Sequence, residues 1–318
     1  MGILFAVLMI ITFGFAYNSV QSNTICLAWQ KAFGFEPATM GIVLTALTLL
    51  IIFGGIQRVA KFSSTVVPLM AIVYLLIAVG VVIWNITSLP KLLLTIIENA
   101  FGFNQAAGGM LGITMIQGIK RGLFSNEAGE GSAPNAAAVA TVSHPVKQGL
   151  IQALGVFTDT LVVCSCTAFI ILVSGVDVTA SNGIQLTQDA LTHEIGSIGN
   201  PFVAVMIWLF AFSSIIGNYY YGETNVRYIK DSKLGVFIYR LAVAAMVMVG
   251  AVVSLDFAWS FADITMALLT LCNLVAIVLL SRQAVFLLQD YRKQKKEGKN
   301  PVFKKDMMPE IADQLEAW

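Results

Sequence analysis

Residues 118–135 gather the groups best able to do chemistry. The run is Gly118-Ile-Lys-Arg-Gly-Leu-Phe-Ser-Asn-Glu-Ala-Gly-Glu-Gly-Ser-Ala-Pro-Asn135. It lies between two apolar stretches, Ala106–Ile119 and Ala136–Val142. Gly118, Gly122, Gly129, Gly131 and Pro134 interrupt what would otherwise be one membrane helix. A helix broken inside a bilayer exposes amides and carbonyls that hydrocarbon cannot satisfy, so a break is tolerated only where it lines a cavity or is buried in protein. Its half-helix ends then offer N–H groups to an anion and carbonyls to a cation. Charged groups at that depth are costly unless paired, and Glu127 and Glu130 could pair with Lys120 and Arg121 across the break. A cytoplasmic loop between two short apolar pieces is the plainer alternative. The glycine spacing does not fit G-x-x-x-x-G-K-[ST], and no strand precedes it, so a phosphate loop is not indicated.

Other groups with chemical potential are sparse. Asp159 falls mid-span in an apolar stretch, where it could couple ions or pair with Lys120, Arg121 or Arg240. Asp263 is expected near the outer interface, and Arg240 near a helix end from which it can snorkel. His144, before Pro145, reads as a helix cap rather than a pH sensor. Cys26, Cys164, Cys166 and Cys272 all sit in apolar surroundings without metal-ligand spacing. No nucleophile–base pair and no H-E-x-x-H supports an enzyme.

The elements that must position these groups follow from composition. Of 318 residues, 57% are hydrophobic and 12% charged, against about 25% charged in an average soluble domain. That excludes a disulfide scaffold, a nucleic-acid binder and an ordinary cytosolic enzyme as whole-chain readings. At roughly 30 to 35 residues per crossing, an all-α polytopic membrane protein with eight transmembrane helices is expected. Helices are read at Ile3–Tyr17, Ala38–Ile56 and Phe62–Trp84, then in the interrupted segment, then at Gln148–Ser174, Pro201–Tyr221, Phe237–Leu255 and Ala258–Leu280. Asn85–Phe103 reads as an outer loop with a short surface helix, and Val176–Asn200 as an acidic loop. From Ser281 the chain is polar, basic and partly disordered by composition. Arg58, Lys61, Lys147, Arg227, Lys230, Lys233 and the basic tail share one side, whereas Lys31 and Lys91 face several acids on the other. The positive-inside rule then places both termini in the cytoplasm of an integral inner or plasma membrane. Met1 opens directly into an apolar run, so no cleaved signal peptide is expected.

The stretch from Arg121 to Pro134 resembles the hallmark of the alanine/glycine:cation symporter family, also called sodium:alanine symporters. His144-Pro145, Gln148-Gly149 and Val156-Phe-Thr-Asp-Thr160 with Cys164 are similar too. Phe210-Ala-Phe-Ser-Ser214 followed by Tyr220-Tyr-Gly-Glu223 resembles the family's eighth core helix. Asn18-Ser-Val-Gln-Ser-Asn23 resembles its third, and Gly55–Lys61 the entry to its fifth.

The resemblance implies a leucine-transporter-like fold: ten core helices in two inverted five-helix repeats, the first and sixth broken at mid-membrane where substrate and sodium bind. On this chain, residues 1–103 become a partial first repeat (core helices three to five) with its outer loop. Residues 104–281 become a complete second repeat, with core helix six broken near 121–134, and 282–318 a basic cytoplasmic tail. Core helices one and two find no counterpart, so an N-terminally truncated protein is expected. Sodium-coupled symport of a small neutral amino acid, alanine or glycine, is the implied activity, with membrane lipid as its surroundings and a sodium ion as the coupling ion. This chain alone is expected to be inactive; the alternative is a non-transporting module or half-transporter needing a separately encoded N-terminal part.

By the same resemblance, Gln21 faces the substrate, unless it is only a polar residue at a helix end. Phe124, Ser125 and Asn126 hold the substrate in the break, with Phe124 walling its side chain. Gly131 lets backbone approach the ligand, or simply breaks the helix. Ser213 and Ser214 give hydroxyl oxygens to sodium, unless they only back-bond to the preceding turn. Asn218 stands where many relatives carry tryptophan, which bears on pocket shape.

Overall fold

The computed structural model describes residues 1–54, 56–100 and 108–315. The expected fifth-helix entry at Gly55 and the outer-loop end at 101–103 lie outside them. All regular structure among the described residues is helical: α1 (Gly2–Phe33), α2 (Pro37–Ile52), α3 (Ile56–Trp84), α4 (Leu89–Ala100), α5 (Gly108–Asn126), α6 (Ala133–Ala137), α7 (Pro145–Ser174), α8 (Ile184–Ile195), α9 (Gly199–Ile229), α10 (Lys233–Val252) and α11 (Leu255–Lys296).

Helix boundaries follow local chemistry. Gly34, at φ +73°, closes α1 in the left-handed conformation that glycine adopts without a Cβ penalty, and Pro37 then opens α2. Ser232 and Ser254 cap α10 and α11 by accepting the amides of Gly235 and Phe257. His144 caps α7 as expected, its Nδ1 accepting the Val146 amide at 3.2 Å.

Several boundaries differ from the sequence reading. The first helix runs beyond its expected apolar core, Ile3–Tyr17, to Phe33, inside the expected turn at Lys31–Pro37, and the polar run within it is paired with other helices. Ser22 Oγ donates to the Val247 carbonyl at 2.6 Å, and Asn23 Nδ2 to those of Gly250 and Val253 at 3.1 and 2.8 Å. Between apolar helices such hydrogen bonds and small residues hold packing together where hydrophobicity cannot. Gly250 provides the close approach: a Cβ there would lie 2.5 Å from the Ser19 Cα.

The expected acidic loop contains α8, whose Thr187, Gln188, Ala190 and Leu191 form a buried face. The Gln188 amide donates to the Ala28 carbonyl and to Asn200 Oδ1, at 2.9 and 2.6 Å. The last helix does not stop near Leu280; strong helix formers carry it to Lys296, before Gly298 turns the chain at φ +73°. Beyond that point the described part of the tail packs back on the start of α7. The Phe303 amide donates to the Ser143 carbonyl at 2.8 Å, and Lys147 Nζ to Asn300 Oδ1 at 2.7 Å.

Among the described residues, five stretches are long and apolar enough to cross a membrane: α1, α7, Ile184–Ile229, α10 and α11. A sixth would be Pro68–Trp84 with Leu89–Glu98, bent by 100°. The eight expected crossings are therefore not all full-length helices. The shortfall falls on the 16-residue α2, the bent pair and the interrupted segment.

Helix α9 is the hub. Phe212, Ile215 and Ile216 pack against Ile25, Leu44, Val243 and Val247, and Val203 and Met206 against Met70, Ile170 and Leu191. A third cluster joins Met9, Phe13 and Tyr17 of α1 to Ala258, Ala262 and Leu269 of α11. By contrast only 6% of the apolar window of α7 is buried, although the C-terminal end of that helix packs in the core through Ile170.

Candidate functional site

Helix α5 continues through Gly118 and Gly122 to Asn126 and α6 begins at Ala133, so the break is confined to 127–132, shorter than the expected 121–134, and Phe124, Ser125 and Asn126 form the last helical turn before it. Glu127, Gly129 and Gly131 all take positive φ (+50°, +78° and +77°). Two of the three are glycine, for which this region is cheap; Glu127 is a rarer occupant. Ser132 Oγ donates to Glu127 Oε2 and holds the turn. From α11, Asn273 Nδ2 donates to the Gly129 carbonyl at 2.8 Å. A Cβ on Gly131 would sit 2.6 Å from Asn273 Cγ, so glycine is needed there for close approach as well as for φ.

Around the break the structure assembles two layers. On one side Phe124 lies between Tyr17 (centroids 4.6 Å apart) and Trp259 (4.9 Å). The Arg121 guanidinium covers Trp259 at 4.0 Å and bonds Asp263 at 2.5 Å, with Lys120 at 3.4 Å from the same carboxylate. Lys120 and Arg121 thus pair with Asp263 of α11, not with Glu127 and Glu130 as expected. The C-terminal end of α5 meets α11 through the side chains of Lys120, Arg121 and Phe124, so its cations reach that acid rather than those beyond its own end. The Tyr17 hydroxyl instead donates to Glu130 Oε1 at 2.8 Å, across 113 residues of sequence.

On the other side Ser125 Oγ donates to Asp159 Oδ2 at 2.6 Å and lies 3.4 Å from Cys164 Sγ, while Thr160 Oγ1 donates to Asn126 Oδ1 at 2.8 Å. Asp159 finds these hydroxyl and thiol groups rather than Lys120, Arg121 or Arg240, and no cation pairs with it among the described residues. Arg240 bonds Glu223 at 3.2 Å and the Tyr219 hydroxyl at 2.9 Å. The side chains of Ser125, Thr160 and Cys164 are polar yet exposed, and Asp159 beside them is half-buried.

Both sides carry a π-helical turn, Ile10–Tyr17 in α1 and Asp159–Cys164 in α7. Such bulges frequently mark functional sites because they free backbone groups and re-aim side chains.

Phe124, Ser125 and Asn126 therefore end α5 beside the break, Phe124 turned to α1 and α11 and Ser125 and Asn126 to α7, while Gly131 packs on Asn273 of α11. Ser213 and Ser214 stand on α9, each donating its proton to the Phe210 carbonyl at 2.8 and 3.1 Å. The back-bond uses the proton and leaves hydroxyl lone pairs free to accept a cation. Gln21 is half-buried on α1. Asn218 is buried and its amide is occupied by Asn18 Oδ1 at 3.2 Å, so it joins α9 to α1 rather than to the break. Sequence reasoning missed Tyr17, Trp259 and Asn273. Tyr17 carries no local signal, because its partner Glu130 is 113 residues away.

A family model described as the sodium:alanine symporter family matches residues 1–305. The chain is 53% identical to the probable sodium/glutamine symporter GlnT of Bacillus subtilis, over 97% of this chain and 65% of that protein. It is 51% identical to the amino-acid carrier protein AlsT of the same organism, over 100% of this chain and 68% of that one. With the sodium/alanine symporter AgcS of Methanococcus maripaludis it shares 35% identity over 89% of this chain and 63% of that protein. The chain thus spans about two thirds of the length of these curated relatives.

Proposed function

Because the chain belongs to the sodium:alanine symporter family, we propose that it forms the greater part of a secondary transporter. Sodium flowing inward drives uptake of a small neutral amino acid, alanine or glycine. The observation that carries this reading is the break at 127–132, with an aromatic wall on one side and the Ser125–Asp159 and Asn126–Thr160 pairs on the other. Free backbone groups at a break can hold both ends of a zwitterion. Phe124 limits side-chain volume, although an apolar wall discriminates by only about 1–3 kcal/mol per methylene. Sodium, a hard cation, takes oxygen ligands, and the lone pairs of Ser213 and Ser214 suit it. One charge crossing 100 mV is worth about 2.3 kcal/mol, enough for roughly fifty-fold accumulation per ion.

The fold we propose is leucine-transporter-like, with 1–103 belonging to a first repeat and 104–281 forming the second. Lys31 bonded to Asp189 and Asn85 to Glu194 group one set of polar ends, and Lys147 with Asn300 the other. That grouping supports both termini being cytoplasmic. The polar groups exposed on α7 argue that further protein covers this face and completes the site. Alone, the chain then does not transport.

Proteoliposome uptake tests these points. The isolated chain, and the chain co-expressed with the part of AlsT that it does not align to, are each given labelled alanine, glycine and glutamine under a sodium gradient. Sodium-dependent alanine uptake only with the added part is expected. Uptake by the isolated chain would overturn the half-site reading, sodium-independent uptake the coupling, and preference for glutamine the small pocket. A channel is separated from a carrier by counterflow, which only a carrier shows.

A further inference from the structure

Glu130 is fully buried, and the substrate reading above does not use it. Its Oε1 accepts from the Tyr17 hydroxyl at 2.8 Å, while its Oε2 is buried with no hydrogen-bond partner among the described residues. Groups facing it are Tyr17 on α1, Tyr221 on α9 and Glu127 in its own loop; Asp263 on α11 acts on Tyr17 from further off. None is a cation. The cations of this region, Lys120 and Arg121, are held by Asp263. A carboxylate out of water, beside a second carboxylate and without a cation, is strongly disfavoured as an anion. A proton on Oε2 removes the charge at no steric cost.

We propose that Glu130 is a proton-binding site in the break. The proton sits on Oε2 while Tyr17 donates to Oε1. Proton uptake converts the carboxylate to the neutral acid and nothing else is consumed. Two features make the site reversible rather than a fixed structural acid. Glu130 is in a six-residue irregular loop, 127–132, and not in a helix, so small backbone movements can open it to water. Its one donor, Tyr17, ends the π-helical turn of α1, so the Tyr17–Glu130 bond ties the state of the break to α1. When the break opens and water reaches Oε2, the acid ionises and the proton leaves. The proposal deepens the transport reading above by adding a proton to its cycle, and it rests on that reading for its biological use.

Infrared spectroscopy of the purified chain in nanodiscs tests the site without any transport. The carbonyl stretch of a protonated carboxylic acid stands clear of the amide bands. At neutral pH we expect such a band in the native chain, sensitive to deuterium, lost in Glu130→Gln and kept in Glu127→Gln. Raising the pH bleaches it, and Tyr17→Phe, which removes the one bond to Oε1, moves the midpoint. Labelling by a hydrophobic carbodiimide, which attacks only protonated carboxyls, gives the same answer in the native chain if a variant fails to fold. Glu130 should be labelled, and more slowly as pH rises. Absence of a Glu130 band at neutral pH, or a midpoint unmoved by Tyr17→Phe, overturns the proposal. Neither result depends on alanine or sodium binding, so failure of the symport reading would look different: a normal Glu130 titration with no uptake.

Discussion

Replacing Gly131 by alanine perturbs the break at one atom, and its cost can be worked from the structure. Two effects add. The residue sits at φ +77°, where an L side chain costs roughly 1–2 kcal/mol. The new Cβ would also lie 2.6 Å from both Cγ and Oδ1 of Asn273. Asn273 must move, and its hydrogen bond to the Gly129 carbonyl goes with it, worth about 1 kcal/mol. Gly131→Ala should therefore weaken the closed break by about 2–3 kcal/mol, or ~30- to ~150-fold in its opening equilibrium. Asn273→Ala alone removes only the hydrogen bond, about 1 kcal/mol. In the double variant that bond is lost once, so the cost should match Gly131→Ala and fall about 1 kcal/mol short of additivity. Hydrogen exchange at 127–132 in nanodiscs reads the opening directly. Protection changed less than threefold by Gly131→Ala, or full additivity in the double variant, would refute the packing of Asn273 on the break.

Three other substitutions probe the surroundings. Asp263→Asn strips Arg121 and Lys120 of their shared carboxylate, and the lost charged hydrogen bond should cost about 1.5–3 kcal/mol. Arg121→Gln should cost less, because Lys120 still faces Asp263; thermal unfolding in detergent ranks the two. Phe303→Ala empties a buried position against the His144 ring, for about 3 kcal/mol, and should free the tail, seen as faster trypsin cleavage at Lys299 and Lys304. Ser214→Ala removes an oxygen without disturbing the fold, since among the described residues its side chain bonds only to its own helix. In the completed transporter it should raise the sodium concentration needed for half-maximal uptake about tenfold, the effect of one ligand worth ~1.4 kcal/mol.

How much of this was legible beforehand depends on the range over which each cause acts. The break was readable because glycine, proline and charge are local signals in an apolar setting, and the His144 cap because it needs only two neighbouring residues. The pairing of α1 with α10 through Ser22 and Asn23 was not, since those side chains are satisfied by carbonyls more than two hundred residues away. The same holds for α8, whose Gln188 looks like a loop residue until the Ala28 carbonyl is placed opposite it. Ion pairing failed for a related reason: proximity in sequence suggested that Arg121 meets Glu127 or Glu130, but helix packing brings Asp263 nearer. The candidate substrate residues Phe124, Ser125 and Asn126 came from one contiguous motif and stayed together. Asn218, assigned from its place along a different helix, turned out to serve the α1–α9 contact.

The most direct test uses a thiol already present. Cys164 lies 3.4 Å from Ser125 at the edge of the break and is exposed in this chain. In the transporter completed by co-expression, its alkylation rate is followed by mass spectrometry with sodium or potassium, with and without alanine. If the break holds the amino acid under sodium control, alanine slows alkylation of Cys164 in sodium and leaves it unchanged in potassium. Equal rates under all four conditions would contradict that placement.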